Sequence, residues 1–169
     1  MMLRKSSCNK VELLTESSRK EIDIWIAKYP EDKKQSAVMS ALRIAQDQNA
    51  GYLTDDLIDA VAEYLEMEPI AVYEVASFYS MYELKPVGKY KICVCTNISC
   101  MLCGSDEIVG HLEKKLGITF GEVTKDGKFS LKEVECLGAC VNAPMLQVGE
   151  TYHEKLTPES IDKLIDSLD

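Results

Sequence analysis

Basic residues are scarce in this chain: 19 Lys and Arg stand against 28 Asp and Glu, a formal net charge of −9. Phosphate backbones are gripped by clustered cations, and no basic stripe is visible, which argues against a nucleic-acid partner. No apolar run approaches the roughly 18 residues that a membrane helix needs. The opening string MMLRKSSCNKVELL has basic residues but lacks the ~7–15-residue apolar core of a secretory signal. Glu12 and Glu16 break the acid-poor composition of a transit peptide. Histidine is limited to His111 and His153, neither at metal-ligand spacing to a cysteine, so core or surface placement is expected for both. There is no G-x-G-x-x-G fingerprint and no Walker loop, so the chain is not expected to bind a dinucleotide unaided. Internal repeats and low-complexity segments are missing as well.

Cysteine is the exception. Seven cysteines in 169 residues form no even disulfide framework, and in a reducing compartment clustered thiols bind metals or do redox chemistry. Hydrophobic residues at 46% and charged residues at 28% are otherwise ordinary for a globular chain.

Two periods divide the sequence. Up to Tyr82 the pattern is helical: Ile22, Trp25, Ile26 and Tyr29, closed by Pro30; then Val38, Ala41, Leu42 and Ala45, ending near Gly51. Thr54 is a candidate N-cap, with Asp55 and Asp56 favouring the positive end of the helix dipole, for a helix with the face Leu57, Ile58, Val61, Ala62 and Leu65. Pro69 suits the first position of a fourth helix. Its aromatic run Tyr73, Phe78, Tyr79 and Tyr82 reads as bundle core, with a docking surface as the alternative. Pro86 and Gly88 mark a boundary. After it YKICVCT reads as a strand, Ser105 as the cap of a helix carrying Ile108, Val109, Leu112 and Leu116, and Gly117 as its stop. Asp126-Gly127 between two strand-like runs signals a type I′ hairpin. MLQV and TYHE read as a short hairpin, and Thr157-Pro158 opens a last helix bearing Ile161, Leu164, Ile165 and Leu168. The expected fold class is thus a mixture of helices and sheet, α+β to α/β. A flexible N-terminus spans residues 1–16, a helical bundle 17–85 and a small thioredoxin-like domain 86–169.

The cysteines fall in two short, uncharged stretches. Cys95 closes the first strand and Cys100 lies in the loop before the first helix; Cys136 and Cys140 lie in the loop after the hairpin. In an open α/β sheet, sites form outside the carboxyl ends of the strands, so the two loops are expected to converge there. The spacings are C-x4-C and C-x3-C. A structural zinc site prefers C-x2–4-C; a [2Fe–2S] cluster takes four thiolates from loops and is reached by C-x4-C spacing. No charged residue occurs in 93–105 or in 136–149, which suits an anionic cluster that accepts a further electron, although burial alone predicts the same neutrality. Cys100-Met101-Leu102-Cys103 is also a C-x-x-C at a strand-to-helix junction, where a dithiol oxidoreductase carries an activated thiol. Zinc, dithiol and iron–sulfur readings all stand on the residues alone. Cys8 looks like a bystander, Cys93 like core packing, and Cys103 like a spare thiol, a packing residue or a substitute ligand. Asn142-Ala143-Pro144 is similar to the proline segment, often cis, that precedes a central strand in thioredoxin-like folds.

CTNISCMLCGSDEI followed by ECLGACVNAPMLQV resembles the thioredoxin-like [2Fe–2S] ferredoxin family. The preface SALRIAQDQNAGYLTDDLIDAVAEYL and VYEVASFYSMY is similar to the family of small iron–sulfur subunits, the E subunits, of NADH:quinone oxidoreductase, respiratory complex I. The resemblance implies that Cys95, Cys100, Cys136 and Cys140 are the ligands of one [2Fe–2S] cluster. Cys103 matches a non-ligand position where Arg is common. The resemblance further implies an electron-transfer subunit without a substrate site of its own. It would pair as a heterodimer with a flavoprotein, the F subunit, that holds FMN, a [4Fe–4S] cluster and the NADH site. By it the chain lies on the cytoplasmic side of a bacterial inner membrane, and any membrane contact is indirect. Thiolate-only ligation implies a low potential, about −400 mV or somewhat above, and the histidines do not suit a Rieske site. The alternatives are the diaphorase subunit of an NAD-linked hydrogenase or formate dehydrogenase, and a dithiol oxidoreductase using Cys100 and Cys103.

Overall fold

The computed structural model describes residues 10–168. The chain divides into two compact units, the first ending at Pro86 and the second beginning at Val87. Cys8 lies outside the described residues.

In the first unit four helices follow one another: α1 (Glu16–Ile26), α2 (Val38–Gln48), α3 (Asp55–Leu65) and α4 (Pro69–Phe78). Three of them, α1, α3 and α4, start where the sequence supplies a reason. Thr15 accepts from the Ser18 N–H at the head of α1, and Thr54 accepts from the Leu57 N–H (3.2 Å) at the head of α3, where Asp55 and Asp56 follow. Pro69 opens α4. Leu57, Ile58, Val61, Ala62 and Leu65 are all buried, as their spacing requires. Thr54→Ala should cost about 1 kcal/mol by exposing an orphan helix donor, measured as a fall in the thermal midpoint of this unit.

The expected flexible tail through residue 16 needs correction from Lys10 onward. Lys10–Leu13 forms a 3-10 turn, Leu14 is fully buried, and Lys10 Nζ bridges Asp56 (2.8 Å) and Asp59 (2.6 Å) on α3. The aromatic run also divides differently. Tyr82 is buried, its hydroxyl donating to the Met39 carbonyl (2.8 Å), and Gln46 holds the adjoining chain by accepting from the Glu83 N–H (2.7 Å). Phe78 is 80% exposed, and Tyr73, Tyr79 and Ile70 are exposed with it. Helix α4 is apolar nearly all round, but only Val72 and Ala76 are fully buried, with Val75 packed partly against the core.

The second unit is built on a four-stranded sheet of β1 (Tyr90–Cys95), β2 (Phe129–Val134), β3 (Leu146–Val148) and β4 (Thr151–His153), in the order β2-β1-β3-β4. Strands β1 and β2 are parallel; β1 with β3 and β3 with β4 are antiparallel. The parallel pair requires a crossover, supplied by α5 (Ile98–Leu102) and α6 (Ser105–Leu116). Helix α7 (Pro158–Ser167) begins with a Thr157–Ser160 capping box. It lies against α6, where His111 Nε2 meets Asp162 (2.9 Å) and Lys115 reaches Asp162 (3.0 Å) and Asp166 (2.8 Å). Ile92, Val94, Leu131, Leu146, Leu112 and Ile161 form the centre of the core.

Three local expectations are revised. Gly104, at φ +94°, is the N-cap of α6; Ser105 is already helical and buried, and its hydroxyl has no partner among the described residues. Residues 118–123 form no strand: Gly121 is left-handed (φ +83°), and the segment meets β2 through an isolated bridge, Val123 to Ser130, and through the Gly121 N–H to the Leu131 carbonyl (2.8 Å) and the Leu131 N–H to the Glu122 carbonyl (3.2 Å). The turn itself is not type I′, which needs positive φ at two residues: the Gly127 N–H closes on the Thr124 carbonyl (2.8 Å), and Gly127 alone is left-handed (φ +70°). The Ala143–Pro144 peptide is cis.

Candidate metal centre

The topology brings three chain segments to one end of the sheet. Cys95, the last residue of β1, is paired with Val134, the last of β2, so both parallel strands release their loops on the same side. Strand β3 runs the other way and enters at that side: the Cys95 N–H donates to the Met145 carbonyl (3.2 Å), directly after the cis peptide. Side chains tie the loops together. Thr96 Oγ1 donates to Glu133 (2.8 Å) and Asn97 Nδ2 to Glu135 (2.7 Å), while the Asn97 side-chain oxygen caps α5 at the Ile98 N–H (2.7 Å).

Cys95, Cys100, Cys136 and Cys140 come together there. Cys95 and Cys100 are 2% and 1% exposed and pack with Met145, edged by Leu137, Ala139 and Ala143. Cys136 and Cys140 are exposed, their sulfurs 3.4 Å apart. The two pairs interact: burial pushes the Cys100 thiol up to about 11, and hydrogen bonding to Cys95 and the charges of Cys95 and Cys140 act in the same direction, against the Met145 backbone donor. Cys140 is raised by Cys136 and lowered by the Ser99 hydroxyl. Cys136 is lowered, chiefly because the Gly138 N–H points at its sulfur (3.3 Å); Gly138 adopts φ +87°, open to glycine, inside the C-x3-C turn. Cys100 and Cys140 thus resist ionising beside their neighbours; a cation among the sulfurs reverses that balance and favours the thiolates. The donor set is four sulfurs in two pairs, Cys95 with Cys100 from β1 and α5 and Cys136 with Cys140 from the turn after β2, and an all-thiolate set of four fits a [2Fe–2S] cluster.

The other two described cysteines differ from this set in setting. Cys103 is exposed at the C-cap of α5, and Cys93 is half-buried in β1, not in the core expected for it. Cys100 is not in a loop: it lies within α5 and is buried, and burial raises its thiol pKa, which weighs against the dithiol reading. The rim is apolar, with Val141 97% and Leu102 78% exposed beside Ile98 and Met101.

Sequence reasoning missed four groups at the site: the Ser99 hydroxyl, the Met145 backbone N–H, the cap Asn97 and Tyr152, whose hydroxyl donates to the Leu137 carbonyl (2.8 Å). An Asn just before an apolar turn is a cap signal that could have revealed α5. Nothing in the string links Tyr152 to Leu137.

The profile of the family described as thioredoxin-like [2Fe-2S] ferredoxin matches residues 22–169. The E subunit of NADH-quinone oxidoreductase from Rickettsia bellii (strain RML369-C) is 54% identical over 143 residues, 85% of this chain and 86% of that one. The E 2 subunit of NADH-quinone oxidoreductase from Rhizobium meliloti (strain 1021) is 46% identical over 149 residues, 88% of this chain and 87% of its own length. Among solved structures, an NAD+-reducing [NiFe]-hydrogenase in the H2-reduced state superposes with a TM-score of 0.66 at 22% identity over 75% of this chain, which spans only 22% of the hydrogenase chain. That likeness concerns the fold alone.

Proposed function

The chain belongs to the thioredoxin-like [2Fe–2S] ferredoxin family, and from that premise we propose that it is the electron-transfer subunit of an NADH–quinone oxidoreductase, respiratory complex I, with Cys95, Cys100, Cys136 and Cys140 as ligands of one [2Fe–2S] cluster. The observation that carries this reading is the meeting of two cysteine pairs at the shared end of β1 and β2. When bound, the cluster supplies reversible one-electron transfer at low potential.

The chain's own residues supply the rest. Cys95 and Cys100 offer two sulfurs from inside the core, shielded from water by Met145. Cys136 and Cys140 offer two from an exposed loop, where electrons can enter over a short path. The Gly138 N–H, the Met145 N–H and the Ser99 hydroxyl direct hydrogen bonds at sulfur, which stabilises added negative charge. Glu133 and Glu135, the nearest acids in sequence, are engaged by Thr96 and Asn97.

The partner in this reading is a flavoprotein, the F subunit, that holds FMN and the NADH site, with the exposed α4 aromatics Tyr73 and Phe78 gripping it. The complex then lies on the cytoplasmic face of a bacterial inner membrane; no helix among the described residues is long and apolar enough to cross one. The relatives at 46% and 54% identity favour complex I over a hydrogenase or formate dehydrogenase diaphorase, to which the link is one of fold.

Purified protein tests the proposal. A brown chain with about two irons and one reduced-state [2Fe–2S] resonance supports it. A colourless, metal-free chain that reduces disulfides would overturn it. Affinity purification should bring down an FMN-containing subunit together with quinone-module subunits; a nickel or molybdenum subunit in their place would select the diaphorase role.

A further inference from the structure

We infer that Tyr152 is a positioning residue for the cluster, acting through one peptide group. Its hydroxyl donates to the Leu137 carbonyl (2.8 Å), and the other end of that same peptide, the Gly138 N–H, donates to Cys136 Sγ (3.3 Å). A peptide is planar, with its C=O and N–H pointing in opposite directions. Holding the oxygen therefore aims the hydrogen at the sulfur. The chain of bonds also polarises the peptide: a donor on the carbonyl strengthens the N–H as a donor, by about 10–30% per bond in condensed-phase estimates.

The surroundings make the arrangement effective. Leu137, Gly138 and Ala139 belong to no helix or strand, so no ladder fixes this peptide plane. Tyr152, in contrast, sits in β4, opposite Gln147 of β3, and is anchored by the sheet. The same strand end holds the far side of the loop, where the Lys155 N–H donates to the Asn142 carbonyl (2.8 Å) and the Leu156 N–H to the Pro144 carbonyl (3.0 Å). The β3–β4 hairpin is thus a post against which the Cys136–Cys140 turn is braced. No residue of β4 carries a sulfur or needs to touch the metal.

This inference rests on the [2Fe–2S] reading of the site. Hydrogen bonds to cluster sulfurs favour the reduced, more negative state. Loss of the Tyr152 hydroxyl should therefore disfavour one-electron reduction by about threefold, a shift of roughly 30 mV to more negative potential for a one-electron couple.

The test is a redox titration of the full-length, cluster-loaded chain, followed by the reduced-state EPR signal. Tyr152→Phe keeps the ring and removes the donor; its midpoint should fall and its g-values should move. Site-specific 3-fluorotyrosine at position 152, a stronger donor of nearly the same shape, should shift the midpoint the other way at a pH where both phenols are protonated. A merely structural tyrosine would not produce opposite shifts. Equal midpoints and spectra for wild type and Tyr152→Phe would overturn the role. If Tyr152→Phe does not retain its cluster, the fluorotyrosine protein decides: a positive shift supports the role and an unchanged midpoint overturns it. A wild-type chain without any [2Fe–2S] signal would overturn the reading of the site itself, which an unchanged Tyr152→Phe midpoint leaves intact.

Discussion

Cys95→Ser and Cys140→Ser are expected to lower bound iron from about two per chain toward zero or to displace the reduced-state spectrum, while Cys103→Ser keeps both. The reason lies in where each sulfur sits. Cys95 is 2% exposed at the end of a strand paired on both sides. Serine there leaves a hard, weakly acidic hydroxyl in an apolar pocket beside Met145, with no freedom to move toward a metal. Cys140 lies in the exposed loop, 3.4 Å from Cys136; a serine there has more room to adjust, so a perturbed cluster is as consistent with the geometry as a lost one. Cys103 faces solvent at the end of α5. Iron and acid-labile sulfide assays with EPR on the purified chains measure all three. Loss of the cluster in Cys103→Ser alone would overturn the ligand set.

Gly88→Ala should destabilise the second unit by about 1–3 kcal/mol, at the upper end of that range. A Cβ at residue 88 falls 2.4 Å from the Phe129 carbonyl carbon and 2.7 Å from the Ser130 nitrogen, both backbone atoms. Flexible side chains could yield; a backbone in a parallel ladder cannot without breaking pairs. The adjacent bonds, Lys89 N–H to Gly127 (3.0 Å) and Tyr90 N–H to Lys128 (2.8 Å), are those that start the β1–β2 pairing. Chemical denaturation of the full chain should show the transition of this unit at lower denaturant. Because β1 and β2 release the two cysteine loops, cluster occupancy should fall along with stability.

Gly88 illustrates how differently the two levels speak. In the string it is punctuation, a residue two places after a proline at a boundary. Its real constraint is a close approach to Phe129, far along the chain, and no local pattern encodes that. The helices of the first unit were legible because their information is local: an apolar spacing, a threonine cap at 54, a proline at 69. Helix α5 was missed because five residues are too few to show a period, though Asn97 was there as its cap. The aromatic run was misread because apolar character says that a surface avoids water, not whether this chain or another covers it; Tyr82 turns inward and Phe78 does not.

From its order of residues alone, the chain determined its longer helices with the starts at Thr54 and Pro69, the two uncharged cysteine stretches, and through the strings around them the family to which it belongs. Those are properties of neighbours along the backbone, where caps, periods and spacings act over a few residues. Which sulfurs meet, and what holds them, was decided only in three dimensions. The parallel pairing of β1 with β2 brings residues 95 and 134 side by side, burial separates Cys100 from Cys103, and the hairpin places Tyr152 under the Leu137 peptide. Such contacts depend on how strands pair and what they cover, and a one-dimensional pattern carries no record of either.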